Sequence, residues 1–116
     1  MSWIGRLLGG GDSKQNSADQ AVIITLDGQS LPDKVYEDCD TSTLEDLITE
    51  AVGDLGECDG TEHGPTASRV FVYGRDAEAM FRAIEPTLRQ YPLASRARVV
   101  LRQGAPGASE REVQIP

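Results

Sequence analysis

Ser68–Gly74 (Ser-Arg-Val-Phe-Val-Tyr-Gly), running on into Asp76–Tyr91, restricts the fold of this chain more than any other segment. An apolar run of β-branched and aromatic residues that stops at a glycine reads as a buried strand. Asp76 is an N-cap residue, and Glu78 suits the positive end of the helix dipole. Ala77, Met80, Phe81, Ile84, Leu88 and Tyr91 then recur with helical period. The unit is therefore strand, turn and amphipathic helix. Pro86 lies inside the helical pattern, where it removes a bond to the Arg82 carbonyl and pushes Glu85 away from the α conformation. The apolar stripe passes through it in phase, so a kinked or two-piece helix is expected, closed by Pro92. Glu78/Arg82 and Glu85/Arg89 have the spacing of i, i+4 ion pairs.

The remaining segments supply partners for this unit. Ala21–Leu26 (Ala-Val-Ile-Ile-Thr-Leu) is nearly continuous in apolar character and suits an interior strand. Val35-Tyr36 reads as a short strand or extended loop, and Pro32 keeps the segment before it out of a central ladder. Thr43–Leu55 reads as the first helix: Ser42 and Glu45 have capping-box spacing, and Leu44, Leu47, Ile48, Ala51, Val52 and Leu55 form one stripe. Glu57–His63 is polar and interrupted by Gly60, which suits an edge strand. Arg98–Arg102 is a further strand, with Glu112–Ile115 as a short hairpin partner. The order β–α–β–β–α–β predicts an α+β domain over residues 21–116. It is a ferredoxin-like βαββαβ sandwich, a four-stranded mainly antiparallel sheet with two helices on one face. Aromatic residues make up only 5% of the chain, so Phe71, Tyr73 and Phe81 are expected as core anchors.

Residues 1–20 read as a flexible arm, since Gly9-Gly10-Gly11 breaks the apolar Met1–Leu8 and the following residues are polar without period. Membrane contact through Met1–Leu8 would be a weak anchor, because stable attachment takes two signals. The start of the chain has no secretory pattern and no apolar run reaches ~20 residues, so a cytoplasmic protein with free thiols at Cys39 and Cys58 is expected.

Charge separates the functional classes further. Residues 1–62 carry 14 acidic and three basic residues, and residues 63–116 carry five acidic residues and eight arginines, for a formal net charge of −8. An acidic half repels phosphate backbones, which argues against nucleic acid, and attracts a basic protein. The soft ligands Cys39, Cys58 and His63 match no common structural zinc spacing. On a regular strand Cys58 and His63 point to opposite faces, about 16 Å apart, which argues against a Cys/His nucleophile pair. The chain has no phosphate-binding loop, dinucleotide fingerprint or EF-hand, so no cofactor, metal or catalytic set is assigned. Arg75, Arg82 and Arg89 recur every seven residues, but Glu78 and Glu85 between them make that row a salt-bridged solvent face.

The pattern Gly56-Glu57-x-Asp59-Gly60-x-Glu62-x-Gly64, then Val72-Tyr73-Gly74-x-Asp76-Ala77, Ile84-x-Pro86-x-Leu88 and Arg98-Val99-Val100-Leu101-Arg102-x-Gly104, resembles that of small bacterial proteins of uncharacterised function. The resemblance spans residues 56–104 and implies a ferredoxin-like cytosolic domain without assigning an activity. Charge asymmetry, the acidic Glu57–Glu62 edge and the lack of a catalytic set together predict a non-enzymatic protein-binding or regulatory module. Its candidate binding residues are Glu57, Asp59, Glu62 and His63, and its expected partner is a basic protein, with a homodimer through the sheet as a variant. An immunity-type inhibitor of a basic toxin is one concrete form. The rival class is a small enzyme or metal-binding protein using the Cys58–His63 region.

Overall fold

The computed structural model describes residues 19–116. The expected arm over residues 1–20, with its Met1–Leu8 segment, lies outside the described residues except at its last two positions. The elements run β1 (Gln20–Asp27), α1 (Asp33–Asp38), α2 (Thr41–Val52), β2 (Gly56–His63), β3 (Ala67–Gly74), α3 (Ala77–Gln90), β4 (Arg98–Arg102) and β5 (Glu110–Gln114). Single 3-10 turns at Gly53–Leu55 and Pro92–Ala94 follow α2 and α3. The sheet is antiparallel in the order β2-β3-β1-β4-β5, so the two most apolar strands, β1 and β3, are both interior. The expected four-strand count is corrected to five, because β5 forms a complete hairpin ladder with β4.

Alternation along the strands divides the sheet into two faces. Val22, Ile24 and Leu26 of β1, Val70 and Val72 of β3, and Val99 and Leu101 of β4 are buried on one face. There they meet Leu44, Ile48 and Val52 of α2 and Ala77, Met80, Phe81, Ile84 and Leu88 of α3. Each of these side chains larger than Ala77 contributes about 1.5–3 kcal/mol on burial. On the other face Ile23, Phe71, Tyr73 and Val100 are half-exposed. The expectation of three aromatic core anchors therefore holds for Phe81 alone. Phe71 and Tyr73 occupy the odd positions of β3, whose even positions Val70 and Val72 face the helices.

Several local expectations are corrected. Val35 and Tyr36 belong to a short helix, not a strand: Pro32 occupies its N-cap and fits a φ near −60°. Helix α2 starts earlier than Ser42 capping would allow, because the Asp40 carboxylate accepts from the Thr43 backbone N–H at 2.7 Å. Leu47 and Leu55, expected on the buried stripe, are 36% and 47% exposed, and Leu55 lies in the 3-10 turn after α2. Helix α3 has the expected Asp76 cap, with Ala79 N–H donating at 3.0 Å. It runs through Pro86 as one helix rather than two. Both Pro86 and Arg82 are exposed, so the carbonyl to which Pro86 cannot donate lies on the solvent side of the helix, where its loss of a bond costs least. Glu85 and Arg89 pair as expected at 2.8 Å, whereas Glu78 pairs with Arg111 of β5 at 2.7 Å and pins the hairpin to α3. Tyr91 caps α3 and clamps it to the start of α2, its hydroxyl accepting from Asp40 N–H at 3.1 Å and donating to the Asp40 carbonyl at 3.0 Å.

The turn after β1 is built on Asp27. Its carboxylate accepts from the backbone N–H groups of Gln29 and Ser30, each at 2.9 Å, and from the Ser30 hydroxyl. The Ser30 hydroxyl bond, then the two backbone bonds, with Arg96 nearby, hold its pKa down to about 2. Because the folded pKa lies below the unfolded value of about 3.9, this contribution is complete above pH ~4 and is lost as pH falls through about 2. The expected result is a carboxyl-carbon NMR titration of Asp27 with a midpoint near 2, with the Ser30 amide moving in step. A midpoint near 4 would contradict the turn geometry.

Candidate functional site

Among the described strands, β2 lies at the edge of the sheet and pairs only with β3. Its ladder is Glu57↔Tyr73, Cys58↔Val72, Gly60↔Phe71, Thr61↔Val70, Glu62↔Arg69 and His63↔Ser68, with an irregularity between Cys58 and Gly60. Asp59 is the extra residue of a β-bulge. The glycine after it has φ +122°, a conformation that L side chains rarely adopt. The sequence places Asp-Gly where a turn would also fit, and the hydrophobic run of β3 instead draws both flanks into one ladder.

The bulge corrects the expected orientation of Cys58 and His63. The ladder places both on the helix side, opposite Val72 and Ser68, rather than on opposite faces. They are four ladder positions apart, roughly 13 Å along the strand, so they still do not pair directly. Cys58 packs against the core, and burial, with help from Glu45 and Asp59, pushes its thiol up to about 11. A thiol so poorly ionised is a weak nucleophile. Native protein at pH 8 is accordingly expected to leave Cys58 unmodified by iodoacetamide, with full labelling after denaturation, as read by peptide mass spectrometry. Rapid native labelling of Cys58 would reverse that assignment. The exposed His63 ring lies 3.2 Å from the Ser68 hydroxyl. Cys39 lies beyond α1, beside Tyr36, Asp40 and Ser68 in a separate cleft of ≈ 250 Å³. Cys39, Cys58 and His63 are not brought together as a metal site, and no group of three His, Cys, Asp or Glu side chains placed to hold a metal occurs among the described residues.

On the face away from the helices the same ladder builds a groove of ≈ 470 Å³, lined by Asp59, Gly60, Thr61, Glu62, Phe71 and Tyr73. The rings of Phe71 and Tyr73 form its apolar part, stacked 10° from parallel with centroids 6.3 Å apart. Gly60 stands opposite Phe71 and has no side chain to cover the ring. Glu62 is ion-paired with Arg69, whose guanidinium carbon is 5.8 Å from the centre of the Phe71 ring. Glu57 stands opposite Tyr73 at the end of the groove. The hydroxyl of Thr61 donates to the Glu45 carboxylate of α2, which ties the edge strand to the acidic helix above it. Helix α2 and strand β2 together carry six of the acidic residues, Glu45, Asp46, Glu50, Glu57, Asp59 and Glu62.

Of the four sequence-derived candidates, Asp59 and Glu62 line the groove, Glu57 flanks it, and His63 is turned to the helix side. Sequence reasoning missed Arg69, Phe71 and Tyr73. The signal was present: with both long helices on one face, alternate residues of β3 must point to the other. The groove offers two carboxylates and two ring faces, a combination suited to holding a cation rather than to bond-breaking chemistry. No helix among the described residues is long and apolar enough to cross a membrane. No protein-family model matches the chain, and comparison with characterised proteins and with solved structures likewise gives no match.

Proposed function

We propose that this chain is a non-enzymatic protein-binding module, a ferredoxin-like plait extended by one edge strand, whose groove on the open sheet face receives a basic side chain of a partner protein. The strand order β2-β3-β1-β4, with α2 and α3 covering one face, supports the plait; β5 is the addition. The observation that carries the functional reading is the Phe71–Tyr73 stack set beside Asp59 and Glu62. A cation there meets ring faces and carboxylates together, which is worth about 2 kcal/mol where it is desolvated. The acidic residues of α2, tied to the same edge strand through Thr61 and Glu45, add a long-range field that speeds encounter with a basic surface.

The test is NMR titration of the full chain with a short peptide of alternating lysine and arginine, first at low and then at high salt. The Gly60 amide and the Phe71 and Tyr73 ring signals are expected to move. Asp59→Asn and Phe71→Ala should each weaken binding, the latter by about tenfold. Shifts confined to other surfaces, or affinity indifferent to ionic strength, would remove this reading.

A further inference from the structure

We propose that the apolar segment Met1–Leu8 docks on the open face of the chain's own sheet, across Phe71, Ile23 and Val100. These three residues stand side by side in the ladders: Ile23 is the partner of Phe71 across β1 and β3, and of Val100 across β1 and β4. Each is half-exposed, on the face away from the core shared with α2 and α3. Together they make one apolar row across the three central strands. It ends at Gly60 of β2 on one side and at Glu112 of β5 on the other. Phe71 also lines the groove, whereas Ile23 and Val100 do not. The inference therefore stands apart from the protein-binding reading above and is read at different residues.

Sequence and reach single out this occupant. Trp3 and Leu7, and Ile4 and Leu8, have the i, i+4 spacing of one helical face, while residues 9–18 contain no aliphatic or aromatic residue but Ala18. Strand β1 begins at Gln20, three residues before Ile23 and about 10 Å from it along the strand. The ten residues between Leu8 and Asp19 span up to roughly 33 Å, so Met1–Leu8 reaches the row from the end of the strand that carries it. Tethering over that distance gives an effective concentration in the millimolar range, so a contact too weak to hold a free peptide suffices. Charge favours the segment over a second copy. Arg6 is the only charged side chain in residues 1–8, so no carboxylate there opposes the acidic edge. Two copies laid face to face would set β2 on β5 with the two-fold axis along the strands, and each on itself with the axis across them. Both arrangements bring edge strands rich in carboxylates against each other, which is unfavourable.

Trp3 is the only tryptophan, so its fluorescence and its indole NMR signals report on the segment alone. In the full chain, nuclear Overhauser contacts are expected from the Trp3 ring to the methyl groups of Ile23 and Val100. Acrylamide should quench Trp3 about threefold less in the full chain than in Val100→Glu. Ile23→Thr, a milder change that keeps a β-branched residue in the strand, should raise quenching in the same direction. Melting curves of both variants check that the fold is kept. Trp3→Ser should move the Ile23 and Val100 methyl signals and leave those of Val99 and Leu101, on the helix side, in place. Equal quenching in the full chain and both folded variants, with no contact from Trp3 to the row, overturns the proposal. Contacts that disappear on dilution, in step with a dimer in sedimentation, overturn it in favour of a second copy. Trp3 that is fully quenched in solution but protected by vesicles of anionic lipid overturns it in favour of a membrane surface. None of these results bears on whether the groove binds a basic peptide, which the Gly60 amide reports separately.

Discussion

Replacing Gly74 by valine is expected to lower stability by about 3 kcal/mol and the melting temperature by roughly 10–20 °C. Gly74 ends β3 where the chain leaving α2 passes closest to it. A Cβ at Gly74 would lie 2.4 Å from the Leu55 carbonyl oxygen and 2.7 Å from the Met80 sulfur. Gly56, in the neighbouring strand, is equally close-packed: a Cβ there would meet the same sulfur at 2.4 Å and the Tyr73 carbonyl oxygen at 2.6 Å. The two glycines allow the start of β2, the end of β3 and Met80 of α3 to share one small volume. Met80 is fully buried, so its sulfur cannot swing out to solvent. Thermal denaturation of Gly74→Val and Gly74→Ala measures the effect. The double variant Gly74→Ala with Met80→Ala should lose less than the sum of the singles, since one of the two collisions is gone. A melting point unchanged in Gly74→Val would mean that the two strands do not approach as described.

Pro86→Ala is expected to act in the opposite direction, stabilising the protein by about 2 kcal/mol and raising its melting temperature by about 10 °C. Proline costs ~3 kcal/mol relative to alanine inside a helix. Loss of proline also frees the unfolded chain, which returns ~0.4–1 kcal/mol to the other side. The side chain is exposed, so no packing is forfeited, and the new N–H has the Arg82 carbonyl to pair with. Urea denaturation with an unchanged slope would confirm a stability effect. A fall in stability would show that the proline sets the line of α3 across the sheet and that Ile84 and Leu88 depend on it.

How much was legible can be stated residue by residue. Val22, Ile24, Val70, Val72, Val99 and Leu101 gave their strands away through β-branched and aliphatic character, and Asp76 marked its helix through cap chemistry. The polar Glu57–His63 segment was readable as an edge because an interior strand could not carry those charges. Three things escape a direct reading, each for a physical reason. The short α1 has barely two turns and no buried residue, so Val35 and Tyr36 impose no period on it. Phe71 and Tyr73 were assigned to the core from their scarcity, when their parity against Val70 and Val72 placed them on the open face. The bulge was hidden because Asp59-Gly60 has turn chemistry, and only pairing with β3 decides between a turn and a bulge. With the bulge hidden, the acidic residues could be singled out but not joined to the rings.

The bulge has a consequence for how this surface can be gained or lost. Glu57, Gly60 and Glu62 face outward and Cys58, Thr61 and His63 face the helices, an unbroken alternation once Asp59 is set aside. Asp59 is thus an insertion that the sheet edge absorbs without shifting any neighbour to the wrong side. Removing that single codon would leave a regular strand, the same core and the same tie from Thr61 to Glu45, while deleting a carboxylate from the groove. Scaffold and proposed recognition surface are separable here by one residue, so the groove can change by insertion or deletion at the edge while the selection that maintains the core stays as it was.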